Sequence, residues 1–167
     1  TSRGLGDVYK RQLINKGLIL AGHDISAGGL ITTLLEMCFA NTEGGMEISL
    51  DKMKDHDIVK VLFAENPGIV IQVADKNKAE VKKILEDAGV GYIKLGTPSE
   101  ERHILVTKDD ATYQFGIDYL REVWYSTSYL LDRKQSMNGC AKKRFENYEK
   151  QPIEFAFNPS FTGKLSQ

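Results

Sequence analysis

Gly22-His23-Asp24-Ile25-Ser26-Ala27-Gly28-Gly29-Leu30 puts a carboxylate, a hydroxyl and paired glycines into one short segment. Magnesium takes one or two protein carboxylates and completes its shell with phosphate oxygens and water. Exposed backbone N–H groups at a helix start attract anions. On that chemistry Asp24 would ligate Mg2+, while the Ser26 hydroxyl and the Gly28 and Gly29 N–H groups would meet phosphate oxygens, so the ligand would be a nucleotide. The same residues have a plainer use, in which Asp24 or Ser26 caps a helix and the glycines only make a tight turn. Spacing alone leaves both open. The segment has neither the Gly-Lys-Ser/Thr of a P-loop nor a GxGxxG pattern.

Around it, His23 could act as a base or as a hydrogen-bond donor, but no serine or cysteine nucleophile is matched to it nearby, so a structural imidazole is expected and no catalytic residue is assigned. Glu65-Asn66 could face the same cleft as Asp24 or form the polar end of a helix before a turn. His56 and His103 have no metal-ligand spacing and read as surface residues. Lys82-Lys83 and Lys142-Lys143-Arg144 read as solvated helix faces.

These residues need elements to hold them. Leu18-Ile19-Leu20-Ala21 reads as a short buried strand running into the Asp24 turn. Leu30, Ile31, Leu34, Leu35, Met37 and Cys38 recur at helical spacing, and Thr42-Glu43-Gly44-Gly45 stops that helix. Met46–Leu50 alternates as a half-buried strand, Asp51 could cap the next turn, and 58–64 carries a short helical face. After the Asn66-Pro67-Gly68 turn, Ile69-Val70-Ile71-Gln72-Val73 is the strongest strand signal. An amphipathic helix follows over 75–88 with Ala79, Val81, Ile84 and Leu85 inside. Strands at 92–96 and 102–106 flank a Pro98-Ser99-Glu100 turn. From Phe115 one long helix is expected, then a Lys/Glu-rich helix over 139–150, then an aromatic tail, Phe155-Ala156-Phe157-Asn158-Pro159-Ser160-Phe161, that needs a surface to pack on. The fold class is α/β (α+β): helices against a mixed sheet, followed by a helical connector and an extended tail.

The 167 residues suffice for one ordinary domain with appendages. With 41% hydrophobic and 27% charged residues the composition is that of a soluble globular chain. A formal net charge of −1 gives no basic field, so nucleic acid is not an expected partner. No apolar run approaches the roughly 20 residues that span a bilayer, so no membrane is expected either. Cys38 and Cys140 lack CxxC spacing, which favours free thiols in the cytoplasm over a disulfide or zinc. Residues 1–12 carry little periodicity and are set aside as a scar or truncation segment.

Leu18–Leu30 followed by Thr33-Leu34-Leu35-Glu36-Met37-Cys38-Phe39-Ala40 resembles the HD-x-S-x-GG-L…LLEM-x-FA signature of phosphoribosylformylglycinamidine synthase, the large purine-biosynthesis amidotransferase. Leu62-Phe63-Ala64-Glu65-Asn66-Pro67-Gly68 is similar to its LF-x-E-x-x-G segment. Leu95-Gly96-Thr97-Pro98 resembles its IGT turn, Trp124–Tyr129 its W-x-x-TSY helix, and Asn138-Gly139-Cys140-Ala141 its NP-x-CA, all in the family's order over residues 13–167.

The resemblance implies a second copy of the half-domain shared with aminoimidazole ribonucleotide synthetase (13–114), a helical connector (115–150) and a tail (151–167) leading to a glutaminase domain. In the family, ATP activates the amide oxygen of formylglycinamide ribonucleotide as an iminophosphate, and ammonia from glutamine displaces phosphate. The glutaminase nucleophile would lie beyond Gln167, so neither cysteine inherits that role, and the fragment alone would be inactive. Asp24 resembles a magnesium ligand and Ser26 a phosphate contact, at a site that in the long enzyme holds a structural ADP. Ala27 stands where the family often has a second acid, which favours that auxiliary role. The expected partners are the enzyme's other synthetase domains, its glutaminase domain and nucleotide, with a homodimer open to the fragment. Selenophosphate synthetase or thiamine-monophosphate kinase relatives, and a non-enzymatic interaction module, are the alternatives; the Trp124 helix and the tail would be extra in either enzyme.

Overall fold

The structure, a computed structural model, describes residues 11–147. Most of the segment set aside at the start and the whole aromatic tail therefore lie outside the described residues. The chain divides into two compact units, Thr1–Val123 and Trp124–Gln167.

After a helical stretch at 11–15, the described residues of the first unit run in the order β1 (Ala21–Ile25), α1 (Gly29–Phe39), β2 (Gly45–Ser49), α2 (Ile58–Phe63), β3 (Gly68–Gln72), α3 (Lys78–Asp87), β4 (Gly96–Ser99), β5 (His103–Lys108) and β6 (Ala111–Gly116), closing on the start of α4 (Ile117–Gln135). Four strands form a mixed sheet in the order β4-β2-β5-β6, with β2 and β5 parallel and both outer pairs antiparallel. β1 and β3 pair separately and antiparallel, Asp24 opposite Ile69 and Ile25 opposite Gly68. Helices on a mixed sheet are as expected; the separate β1–β3 pair is an addition to it.

The core forms where α1 lies on the sheet. Leu30, Ile31, Leu34 and Cys38 of α1 join Ile48, Leu50, Ile104 and Val106 of the sheet region, with Ile117 at the start of α4. Leu34 is 1% exposed, so its side chain contributes about 2–3 kcal/mol of burial. Along β5 the buried positions alternate: Ile104, Val106 and Lys108 share the core face. The Lys108 ammonium donates to the Leu50 and Met53 carbonyls at 3.3 Å each, which compensates its burial. A second cluster packs Val81 of α3 on Leu13 and Leu18, with Ile84 and Leu85 alongside.

Several local expectations are corrected. The first strand lies three residues later than expected, because pairing with β3 runs through Gly22, His23 and Asp24; Leu18 is buried but outside it. Ala79 is exposed, α3 beginning only at Lys78 after a 3-10 turn at Asp75–Asn77. The strand expected at 92–96 is β4 at Gly96–Ser99, and Pro98 lies within it rather than in a turn. An edge strand tolerates proline, which has no N–H to give. Gly96 is needed there: a Cβ would stand 1.8 Å from the Glu47 carbonyl oxygen. Sequence reasoning missed β6, whose hairpin closes through Asp109 at φ 52° and Asp110 between paired Lys108 and Ala111. Asp51 serves that turn, accepting from the Asp109 amide at 2.8 Å, whereas Asp57 caps α2 by accepting from the Val59 amide at 3.0 Å.

The second unit contains the rest of α4 and α5 (Cys140–Asn147). Arg144 is exposed on its helix, as expected, and it also pairs with Asp132. It donates from Nε to Asp132 Oδ2 at 2.9 Å and from Nη2 to both carboxylate oxygens at 2.6 Å. Tyr129 stacks on Phe145 with ring centroids 4.7 Å apart, and the Arg133 guanidinium lies 5.9 Å from the Tyr129 centroid.

Candidate functional site

The loop between β1 and α1 is built from both ends. Antiparallel pairing with β3 holds Asp24 in an extended strand. Gly28 at φ 83° and Gly29 at φ 73° then turn the chain into α1. Gly29 is doubly constrained, since a Cβ would also stand 2.7 Å from the Leu62 carbonyl oxygen. The helix packs directly on α2 because this position has no side chain.

The Asp24 side chain is 69% exposed. Its backbone carbonyl, in contrast, is held twice. Thr33 Oγ1, on a buried side chain of α1, donates to it at 3.1 Å, and His23 Nδ1 lies 2.8 Å away. His23 Nε2 stands 3.2 Å from Glu36 Oε2. Neither Asp24 nor Ser26 caps α1: the N-cap is Gly28, with no side-chain cap bond. The carboxylate is thus presented outward from a fixed backbone, and Ser26 is exposed beside it.

The glycine amides are already engaged. Gly29 N–H donates to the Ser26 carbonyl at 3.0 Å, closing the turn, and Gly28 N–H donates to Glu65 Oε1 at 2.9 Å. So the structure brings Glu65 to the loop from the end of α2, 37 positions along the chain. Sequence reasoning had left Glu65 between two roles and gave none to Glu36; its position three residues after Thr33 on α1 was the available signal. His56 is exposed, 3.6 Å from Asp109 Oδ2, whereas His103 is half-buried at the start of β5 rather than on the surface.

Among the described residues no group of three or more His, Cys, Asp or Glu could hold a metal by itself. Asp24 is a single carboxylate. That fits magnesium, whose other ligands would be phosphate oxygens and water. Cys38 is a buried free thiol, raised above the ordinary thiol range by burial and partly offset by Arg102; Cys140 is free and exposed.

The family described as AIR synthase related protein, C-terminal domain, matches residues 8–108. The chain belongs to this family. Within it, the chain is 33% identical over 154 residues to the phosphoribosylformylglycinamidine synthase of Homo sapiens, covering 89% of this chain and 11% of that protein. It is 36% identical over 160 residues to the enzyme of the same name from Saccharomyces cerevisiae, covering 89% and 12%. Among solved structures, T. maritima PurL complexed with ATP superposes with a TM-score of 0.61 at 15% identity, over 68% of this chain and 20% of that one. These matches bear out the resemblance and the AIR synthase C-terminal fold. The chain spans about a tenth of the length of those two curated relatives.

Proposed function

We propose that this chain is a segment of a phosphoribosylformylglycinamidine synthase, the ATP-dependent amidotransferase of purine synthesis, and that its Asp24 loop is one wall of an auxiliary nucleotide site. The enzyme would convert formylglycinamide ribonucleotide, glutamine and ATP to formylglycinamidine ribonucleotide. The observation that carries the site is the 69% exposed Asp24 carboxylate on a backbone held by Thr33 and His23. The carboxylate caps no helix and faces solvent, where a cation could reach it.

Asp24 would hold Mg2+ and Ser26 would donate to a phosphate oxygen of ADP. Bound there, the ion would screen phosphate charge and tie the nucleotide to the loop. The Gly28 amide would become a phosphate donor only when Glu65 releases it; the Gly29 amide belongs to the turn. Residues 13–114 form the synthetase half-domain in this account, 115–150 the connector and 151–167 the approach to a glutaminase domain. Two free thiols favour the reducing cytoplasm. Among the described residues no helix is long and apolar enough to cross a membrane.

The test is complementation. The 167-residue chain alone should hold no ADP and turn over no ATP, and supplying the missing synthetase domains should create magnesium-dependent ADP retention. Full retention by the isolated chain, or none after completion, would contradict the proposal. Sedimentation of the isolated chain reads whether it pairs with a second copy.

A further inference from the structure

The Asp24 carbonyl oxygen accepts from a buried threonine and lies against an imidazole that a glutamate holds from behind. Thr33 and Glu36 sit three apart on α1 and so share a face. From that face Thr33 Oγ1 reaches the Asp24 carbonyl at 3.1 Å and Glu36 Oε2 reaches His23 Nε2 at 3.2 Å. His23 Nδ1 is 2.8 Å from the same carbonyl and 3.9 Å from Asp24 Oδ1. A carbonyl oxygen only accepts, so the Nδ1 contact is a hydrogen bond in the tautomer that carries hydrogen at that nitrogen. The His23 and Glu36 side chains are 32% and 25% exposed, so this chain of contacts is largely shielded while the Asp24 carboxylate is not.

A helix-to-strand tie of this kind could be placed anywhere along the interface. Here it converges on one peptide carbonyl, that of the residue whose side chain faces outward. We infer that His23 and Glu36 are a positioning pair: Glu36 fixes the ring, the ring with Thr33 fixes the Asp24 peptide, and the carboxylate is thereby aimed at its cation. This rests on the nucleotide reading above. Groups that hold a metal ligand in place typically contribute about 10- to 100-fold to metal affinity. An indirect hold through the backbone should lie at the lower end.

The experiment is an Mg2+ titration of ADP retention by the intact synthase carrying this segment, measured by equilibrium dialysis. His23→Gln should raise the Mg2+ needed for half-retention about tenfold, and Glu36→Gln should shift it in the same direction by less. Placed on Asp24→Asn, neither substitution should change the requirement further, because both act through that carboxylate. An unchanged requirement in the single variants, or an equal shift on the Asp24→Asn background, would overturn the pair while leaving the nucleotide site standing. Absence of ADP from the unsubstituted enzyme at any Mg2+ concentration would remove both. Should His23→Gln not fold, Glu36→Gln carries the same expectation alone.

Discussion

The Gly28 amide donates to the Glu65 carboxylate at 2.9 Å, so a negatively charged group of the protein itself occupies one of the loop's anion-facing donors. A single hydrogen bond of this exposed kind contributes about 1 kcal/mol net. Glu65→Ala should therefore raise the hydrogen-exchange rate of the Gly28 amide roughly fivefold, with the β1–β3 amides unaffected. Unchanged Gly28 exchange would mean that the contact is not populated in solution.

Gly29→Ala should be among the most costly changes in the loop. The residue would keep φ near 73° and thrust a methyl group to 2.7 Å from the Leu62 carbonyl oxygen. Backbone strain and overpacking together predict about 2–4 kcal/mol of lost stability, read as a lower denaturant midpoint. A loss below about 0.5 kcal/mol, the size of an ordinary surface effect, would contradict the close α1–α2 approach.

Much of this was legible from periodicity. The α1 pattern, the alternation of β2 and the β-branched run of β3 each report burial on one face, and each became the expected element. The strand departures share a cause, pairing that the local sequence does not encode. Gly96-Thr97-Pro98-Ser99 looks like a turn until an adjacent β2 makes it an edge strand. Ala111-Thr112-Tyr113-Gln114 is too polar to signal a strand without β5 beside it. At the candidate site, Asp24 and Ser26 could be singled out by type and spacing, but the outward carboxylate and the Glu65 and Glu36 contacts depend on how α1 and α2 sit on β1 and β3.

Arg102 should matter to the fold more than its place in a turn suggests. Its guanidinium donates to the carbonyls of Cys38, Asn41 and Gly44 at 3.2, 2.7 and 3.0 Å, and to Asp118 Oδ1 at 2.9 Å. It thus satisfies the C-terminal end of α1. Arg102→Met should cost about 2–3 kcal/mol, measured by denaturant unfolding, and a neutral substitution would show that water replaces it freely.

The two thiols should separate cleanly under alkylation near neutral pH. Burial raises the Cys38 thiol above its ordinary range, while Cys140 is exposed. Mass mapping after brief iodoacetamide treatment should find Cys140 labelled first. Equal labelling would mean that α1 opens readily.

In the second unit the Arg144 guanidinium, followed by the Ser136 hydroxyl, holds the Asp132 carboxyl below the usual carboxylate range. A depressed acid contributes stability that is present above its unfolded pKa, about 3.9, and lost as pH falls through the folded value. Melting followed by circular dichroism should fall on acidification through that window, and Asp132→Asn should reduce the acid-dependent part of the fall. An identical acid profile in the variant would assign the loss elsewhere.

The most direct measurement of the central claim is the ADP carried by the intact synthase with and without Asp24→Ala, quantified after denaturation of the purified enzyme in magnesium buffer. The account predicts that retained ADP drops about tenfold or more, as for loss of one charged contact, with the enzyme still folded. The same ADP content in both proteins would contradict it.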